Sequence, residues 1–323
     1  MLASFAAAQA KPATRPADLV GQKPVTLILD SDMDSDCDDA GALGILHALA
    51  DRGEVEPLAV MLSARNPSAP ACVIAINHYY GRGLPVGTPA AHGPLQESKY
   101  TAAVAATLPV GYDWASSDAV DLYRDLLEKA ADNSITIVTI GDMTNLADLV
   151  SDPKTKALVQ QKVKVWVCMG GNFIGKPAKD DLKLGNNNFT VDSKDTYTAI
   201  RNWPTPIVFA GREVCSVPSG VKVGKDLAKT PKDNPVRIAY EAYFGGKLQD
   251  RHVADLATVL FAVRGLGDLW DAEQTGAMDL QKDMTFTWRY DIDRPMAYLL
   301  KKKPDRDVEA AINELLIAPP AKK

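Results

Sequence analysis

Six aspartates fall within ten consecutive positions of this 323-residue chain: Asp30, Asp32, Asp34, Asp36, Asp38 and Asp39. Carboxylates this close repel one another, and burying them uncompensated is costly or forces protonation. A hard divalent cation removes the conflict, and Ca2+ takes oxygen ligands readily. The plainer reading is a solvated acidic loop, as most charge blocks are.

Two elements pin the cluster. Residues 25–29, Val-Thr-Leu-Ile-Leu, are an apolar, β-branched run that reads as a buried strand, given the polar break after it. Ala40, Leu43, Leu46 and Ala50 recur at helical spacing, with Asp38 and Asp39 in the first turn, where the helix dipole favours acids. The acids therefore occupy a strand-to-helix loop, and open parallel sheets bind ligands at that edge. This placement favours a cation over a solvated loop. Asp30, Asp32 and Asp34 also have the early spacing of an EF-hand loop, but Ser35 stands where that motif needs Gly and Gly41 where it needs Glu. A strand ending in Asp-x-Asp occurs too in haloacid-dehalogenase-like phosphatases, although a double Asp opening a long helix is not their pattern.

Asp30-Ser31-Asp32, a short loop, then Asp38-Asp39-Ala40-Gly41-Ala42-Leu43 opening a helix resembles the N-terminal signature of the inosine-uridine nucleoside hydrolase family, in a divergent branch. The likeness runs from about residue 24 to the C-terminal helix: Gly141 to Ala147 match the family's Gly-x-Leu-Thr-Asn-Ile-Ala turn, and the strand 162–171 ends in Met169-Gly170-Gly171. The resemblance implies Ca2+ held by Asp32, Asp39, Asp255 and the main-chain carbonyl of Ile140, whose apolar side chain is no obstacle because only the backbone oxygen ligates. It implies Asp32 as general base toward a metal-activated water. It places sugar contacts at Asn66, Met169, Asn186 and Asn188, with either Asp36 or Asp38 completing them. Asn66 before Pro67 is equally a turn former, and a Met at a strand end more often fills core. Two positions depart from the family. Asn186 stands where the family has Glu, which bears on the identity of the sugar. Ala254 precedes Asp255 where well-known nucleosidases have a His that helps the base depart, and His252 lies further upstream. The acidic loop is longer than the commonest family form, so Asp34 competes with Asp32 as first ligand; the strand end favours Asp32.

Strand and helix patterns alternate without a linker, which predicts one doubly wound α/β domain over residues 24–323, with an open, mostly parallel, Rossmann-like sheet and helices on both faces. Ser117 is the expected cap of one helix. Glu213 could face the pocket as an acid, but Arg212-Glu213 reads more readily as a surface pair. A net charge of −5 and the lack of a basic stripe argue against nucleic acid, and no run is long enough to span a bilayer. Residues 1–23 read as a signal-peptide remnant and a Pro-rich lead-in, since Ala8-Gln9-Ala10 has the small-x-small form of a cleavage site, though a basic n-region is missing. The protein is expected in the periplasm or outside the cell if so, and in the cytoplasm otherwise. Cys37, Cys72, Cys168 and Cys215 are scattered like buried thiols rather than a disulfide framework. The expected function is a Ca2+-dependent N-glycosidase acting on a ribonucleoside or related riboside, and the resemblance implies a homo-oligomer. A non-catalytic calcium-containing sugar-binding protein on the same scaffold and the phosphatase are the alternatives.

Overall fold

The computed structural model describes residues 15–33, 36–89, 92–174, 187–215 and 220–321. The apolar run before the acids is strand β1 (Thr26–Ser31), and it lies inside the main sheet. Leu27 and Leu29 join one buried cluster and Ile28 the other, so the two-residue period of the strand feeds a hydrophobic layer on each face. The acids then enter the helix Asp38–Asp51, whose Leu43 and Leu46 lie in the first of those layers.

The other strands of this sheet are β2 (Glu56–Leu62), β3 (Val86–Thr88), β4 (Ser117–Asp118), β5 (Ile135–Thr139), β6 (Val163–Met169), β7 (Ile207–Ala210), β10 (Trp270–Glu273) and β13 (Met296–Lys301). Their order is β10-β13-β7-β6-β5-β1-β2-β3-β4, and every pairing is parallel except β10 against β13. The chain winds outward from β1 through β2 to one edge, and from β5 through β7 toward the other. The direction therefore reverses between β1 and β5, and the crevice beyond their carboxyl ends is where such sheets bind ligands. This is the single, mostly parallel α/β domain that the alternating pattern predicts. Two small antiparallel pairs flank it, β8 (Lys222–Val223) with β9 (Arg251–His252), and β11 (Ala277–Leu280) with β12 (Phe286–Arg289).

The helix expected behind a Ser117 cap is Ala119–Lys129, and its cap is Asp118, whose carboxylate accepts from the Asp121 N–H at 2.9 Å. Ser117 is instead paired with Gly87 in the sheet. Cys37, Cys72 and Cys168 are buried free thiols. Among the described residues no helix is long and apolar enough to cross a membrane. The Ala8–Ala10 segment lies outside the described residues.

Candidate active site

The floor of the crevice is Asp30, fully buried at the end of β1. Tyr123 donates its hydroxyl to one carboxylate oxygen at 2.8 Å, and Asn145 Nδ2 reaches both oxygens at 3.2 and 3.1 Å and the Leu62 carbonyl at 2.9 Å. Burial pushes the Asp30 carboxyl up to about 7 against those two donors. Asp30, wholly buried, thus ties β1 to the helices Ala119–Lys129 and Thr144–Ser151.

Above it, Ser31 Oγ donates to Asp39 Oδ1 at 2.6 Å, and the Met33 N–H reaches Ser31 Oγ at 3.0 Å and Asp39 Oδ1 at 3.3 Å. These bonds turn Asp39 back onto the strand end. Asp32 packs on the turn after β5: a Cβ on Gly141 would lie 2.4 Å from the Asp32 nitrogen. The carbonyl of Ile140, in that same turn, accepts from Asn188 Nδ2 at 2.9 Å, and the same amide reaches the Met169 carbonyl at 3.4 Å and its sulfur at 3.3 Å. Asn188 therefore bridges Ile140 and Met169 at the carboxyl ends of β5 and β6.

Asp255 opens the helix Ala254–Arg264, which packs against the helix Asp38–Asp51. Asp38, Asp39 and Asp255 are all buried. Burial, then the charges of Asp38, Asp39 and Asp36, hold the Asp255 carboxyl well above the usual carboxylate range. Burial and Asp36 push Asp38 up to about 7, with Arg251 opposing. Asp36 itself turns aside: its Oδ1 accepts from the Tyr243 hydroxyl at 2.7 Å and its Oδ2 from Arg251 Nη2. Asn66 is held within the loops. Its Oδ1 accepts from the Ser68 N–H at 2.9 Å and Thr101 Oγ1 at 3.4 Å, and its Nδ2 donates to the Gln96 carbonyl at 3.3 Å, which is turn-forming hydrogen bonding. Asp34 and Asn186 lie outside the described residues.

Asp38 Oδ1 is buried without a hydrogen-bond partner; after burial, the charge of Asp36 raises the proton affinity of Asp38, and the charges of Asp38, Asp39 and Asp36 raise that of Asp255. The same field attracts a cation, and carboxylates with a main-chain carbonyl are a hard donor set. Among the described residues no three His, Cys, Asp or Glu side chains stand assembled around one point. Arg251 is the residue that motif reading missed. A lone Arg in a polar stretch carries no sequence signal, and only the fold sets it beside the acids.

The sequence profile described as inosine-uridine preferring nucleoside hydrolase matches residues 27–292. The chain belongs to that family. Its members hydrolyse N-glycosyl bonds of small ribosides and typically depend on a metal, and this chain is a hydrolase of that class. Among solved structures it resembles a plant nucleoside hydrolase, with 20% identity, a TM-score of 0.67, and 92% of this chain and 100% of that one covered. It is similar also to an inosine-uridine preferring nucleoside hydrolase from Bacillus anthracis (17% identity, TM-score 0.67, 90% and 99% covered). A purine-preferring ribonucleoside hydrolase from Gardnerella vaginalis is comparable (15% identity, TM-score 0.68, 90% and 98% covered). At these identities the likeness is one of fold. Among proteins of curated function, none matches by sequence. Membership of the nucleoside hydrolase family leaves the phosphatase reading without support.

In this member of the family Glu213 is not a surface partner of Arg212. Its carboxyl turns inward beyond β7, Oε1 accepting from the Phe173 N–H at 3.3 Å, while Oε2 is buried without a hydrogen-bond partner. Burial pushes it up to about 7 from the ordinary 4.5. A carboxyl raised in the folded state adds stability that is whole below its unfolded pKa and is lost as pH rises through the folded one. Glu213→Gln keeps an acceptor for Phe173 and removes the charge. Between pH 5 and pH 8 the wild type should therefore lose on the order of 2 kcal/mol relative to Glu213→Gln in urea unfolding. Parallel pH profiles for the two proteins would remove the burial argument.

Proposed function

We propose that this hydrolase is a Ca2+-dependent N-ribohydrolase that cleaves the glycosidic bond of a ribonucleoside or a closely related riboside. Asp32, Asp39, Asp255 and the Ile140 carbonyl would hold the ion. The observation that carries this reading is the buried, mutually repelling set Asp38, Asp39 and Asp255 beside the Asp32–Gly141 contact, at the switch point of the sheet. When bound there, Ca2+ supplies a coordinated water of lowered pKa and a grip on sugar hydroxyls.

Asp32 takes the proton of the attacking water, and the water oxygen adds to the anomeric carbon as the C–N bond breaks through an oxocarbenium-like state. The departing base keeps the bonding pair and needs a proton from elsewhere, because Ala254 offers none where the resemblance has His. Asp38, whose Oδ1 makes no hydrogen bond, receives a sugar hydroxyl, and Asn188 and Met169 form the wall against the ring. Orientation of this kind lowers the barrier by several kcal/mol in well-ordered sites. Asn66 and Asp36 must exchange their present partners to contact the sugar. Purified protein with Ca2+ should release free ribose from a panel of purine and pyrimidine ribosides, and chelation should stop it. Turnover that survives exhaustive chelation would remove Ca2+ from the reading.

Ala254 favours a second reading, a calcium-containing sugar-binding protein on the same scaffold. Calorimetry separates the two: tight ribose binding without turnover of any riboside selects the binder. We further propose a free small-molecule riboside, not nucleic acid, as the partner; homo-oligomer formation is a question for sedimentation, and export one for N-terminal sequencing of the mature protein.

A further inference from the structure

The guanidinium of Arg251 belongs to neither the ligand set nor the sugar contacts, yet it sits among them. It donates through Nη2 to Asp36, and its Nε is 3.9 Å from Asp38 Oδ1, beyond hydrogen-bond length. Both of those facing atoms are buried without a hydrogen-bond partner. The guanidinium lies over the Tyr243 ring at 5.7 Å, and Lys99 Nζ stands 5.3 Å from the same ring. Tyr243 in turn gives its hydroxyl to Asp36. The acidic loop thus carries Asp36 out to a cationic and aromatic clasp, which sets a positive charge against Asp38 and, through space, Asp255.

Lys99 is exposed, whereas Arg251 is largely covered, so screening by water weakens the first charge more than the second. Removing one partner of a covered ion pair leaves the other uncompensated and destabilises the fold. A fixed positive charge a few ångströms from carboxylates also opposes any further cation that they bind.

We propose that Arg251 is a resident counter-charge of the acidic centre: it keeps the carboxylates folded together when no metal is bound, and it competes with the cation that enters. This rests on the calcium reading above. The clasp lets the chain fold before it meets the ion, at the expense of affinity for it.

The test is titration calorimetry of Ca2+ into the full-length protein, with thermal melts in chelator and in excess Ca2+. Arg251→Met and Arg251→Gln, which remove the charge, should each bind Ca2+ about tenfold tighter, equivalent to about 1.4 kcal/mol. Both should melt at lower temperature than the wild type in chelator and gain more on Ca2+ addition. Arg251→Lys, which keeps a charge, should stay within about threefold of the wild-type affinity. A neutral variant that folds only with Ca2+ is the same result in stronger form. Neutral variants that bind Ca2+ no tighter than a binding-competent wild type overturn this inference alone. So does failure of both to fold in saturating Ca2+, since the ion should replace the lost charge. If the wild type binds no Ca2+ at millimolar concentration, the calcium reading falls and this inference with it.

Discussion

Asp32→Asn should lower riboside turnover by about a thousandfold while the fold persists. The substitution is nearly isosteric and removes one negative charge from a place that holds several. Asp32 is also buried, with only 8% of its surface exposed, and its main chain is fixed by the packing of Gly141, so the amide should occupy the same position. What it cannot do is accept the proton of the attacking water. Steady-state kcat with Ca2+ saturating, read beside the circular-dichroism melt, isolates that loss. Asp34→Asn is the matched control, because the longer acidic loop leaves two registers for the first ligand. If turnover collapses in Asp34→Asn and survives in Asp32→Asn, the base is the later aspartate.

A single methyl group at Gly141 should be nearly as damaging by a different route. A Cβ there would meet the Asp32 nitrogen at 2.4 Å, Ser63 Oγ at 2.7 Å and the Asp32 Cβ at 2.9 Å. The serine hydroxyl can rotate away, but the Asp32 backbone cannot, because β1 and β5 are held in register up to the Ile140 N–H, which donates to the Asp30 carbonyl at 2.8 Å. Gly141→Ala must therefore push two strand ends apart, and overpacking of this kind costs about 2–3 kcal/mol. Asp32 and the Ile140 carbonyl move with those ends, and a displacement of about 1 Å at a reacting group costs on the order of a hundredfold in rate. Urea unfolding and kcat should fall together. Wild-type stability in Gly141→Ala would show that the strand ends do not approach so closely.

The two substitutions probe different levels of the same arrangement, the chemistry of one carboxylate and the packing that aims it. Glu213 shows how far local reading reaches. Adjacent Arg212 and Glu213 look like a solvated pair, but a four-residue helix after β7 turns the carboxyl inward to the Phe173 N–H. Asn66 shows the same limit: its place after β2 suits a sugar contact and a turn equally, and its hydrogen bonds are those of a turn.

The sequence by itself determined the alternation of strand and helix, the placement of the acids at a strand end, and the family signature that spans them. Each of these is a local or periodic property, set by side-chain spacing along a few turns or pleats. Only the tertiary structure decided that Asp30 is buried under Tyr123 and Asn145, 93 and 115 residues away, and that Asp36 is clasped by Arg251, 215 residues away. Contacts over such separations depend on how helices pack across the sheet, and a pairing made once between distant residues leaves no repeat in the chain from which to read it.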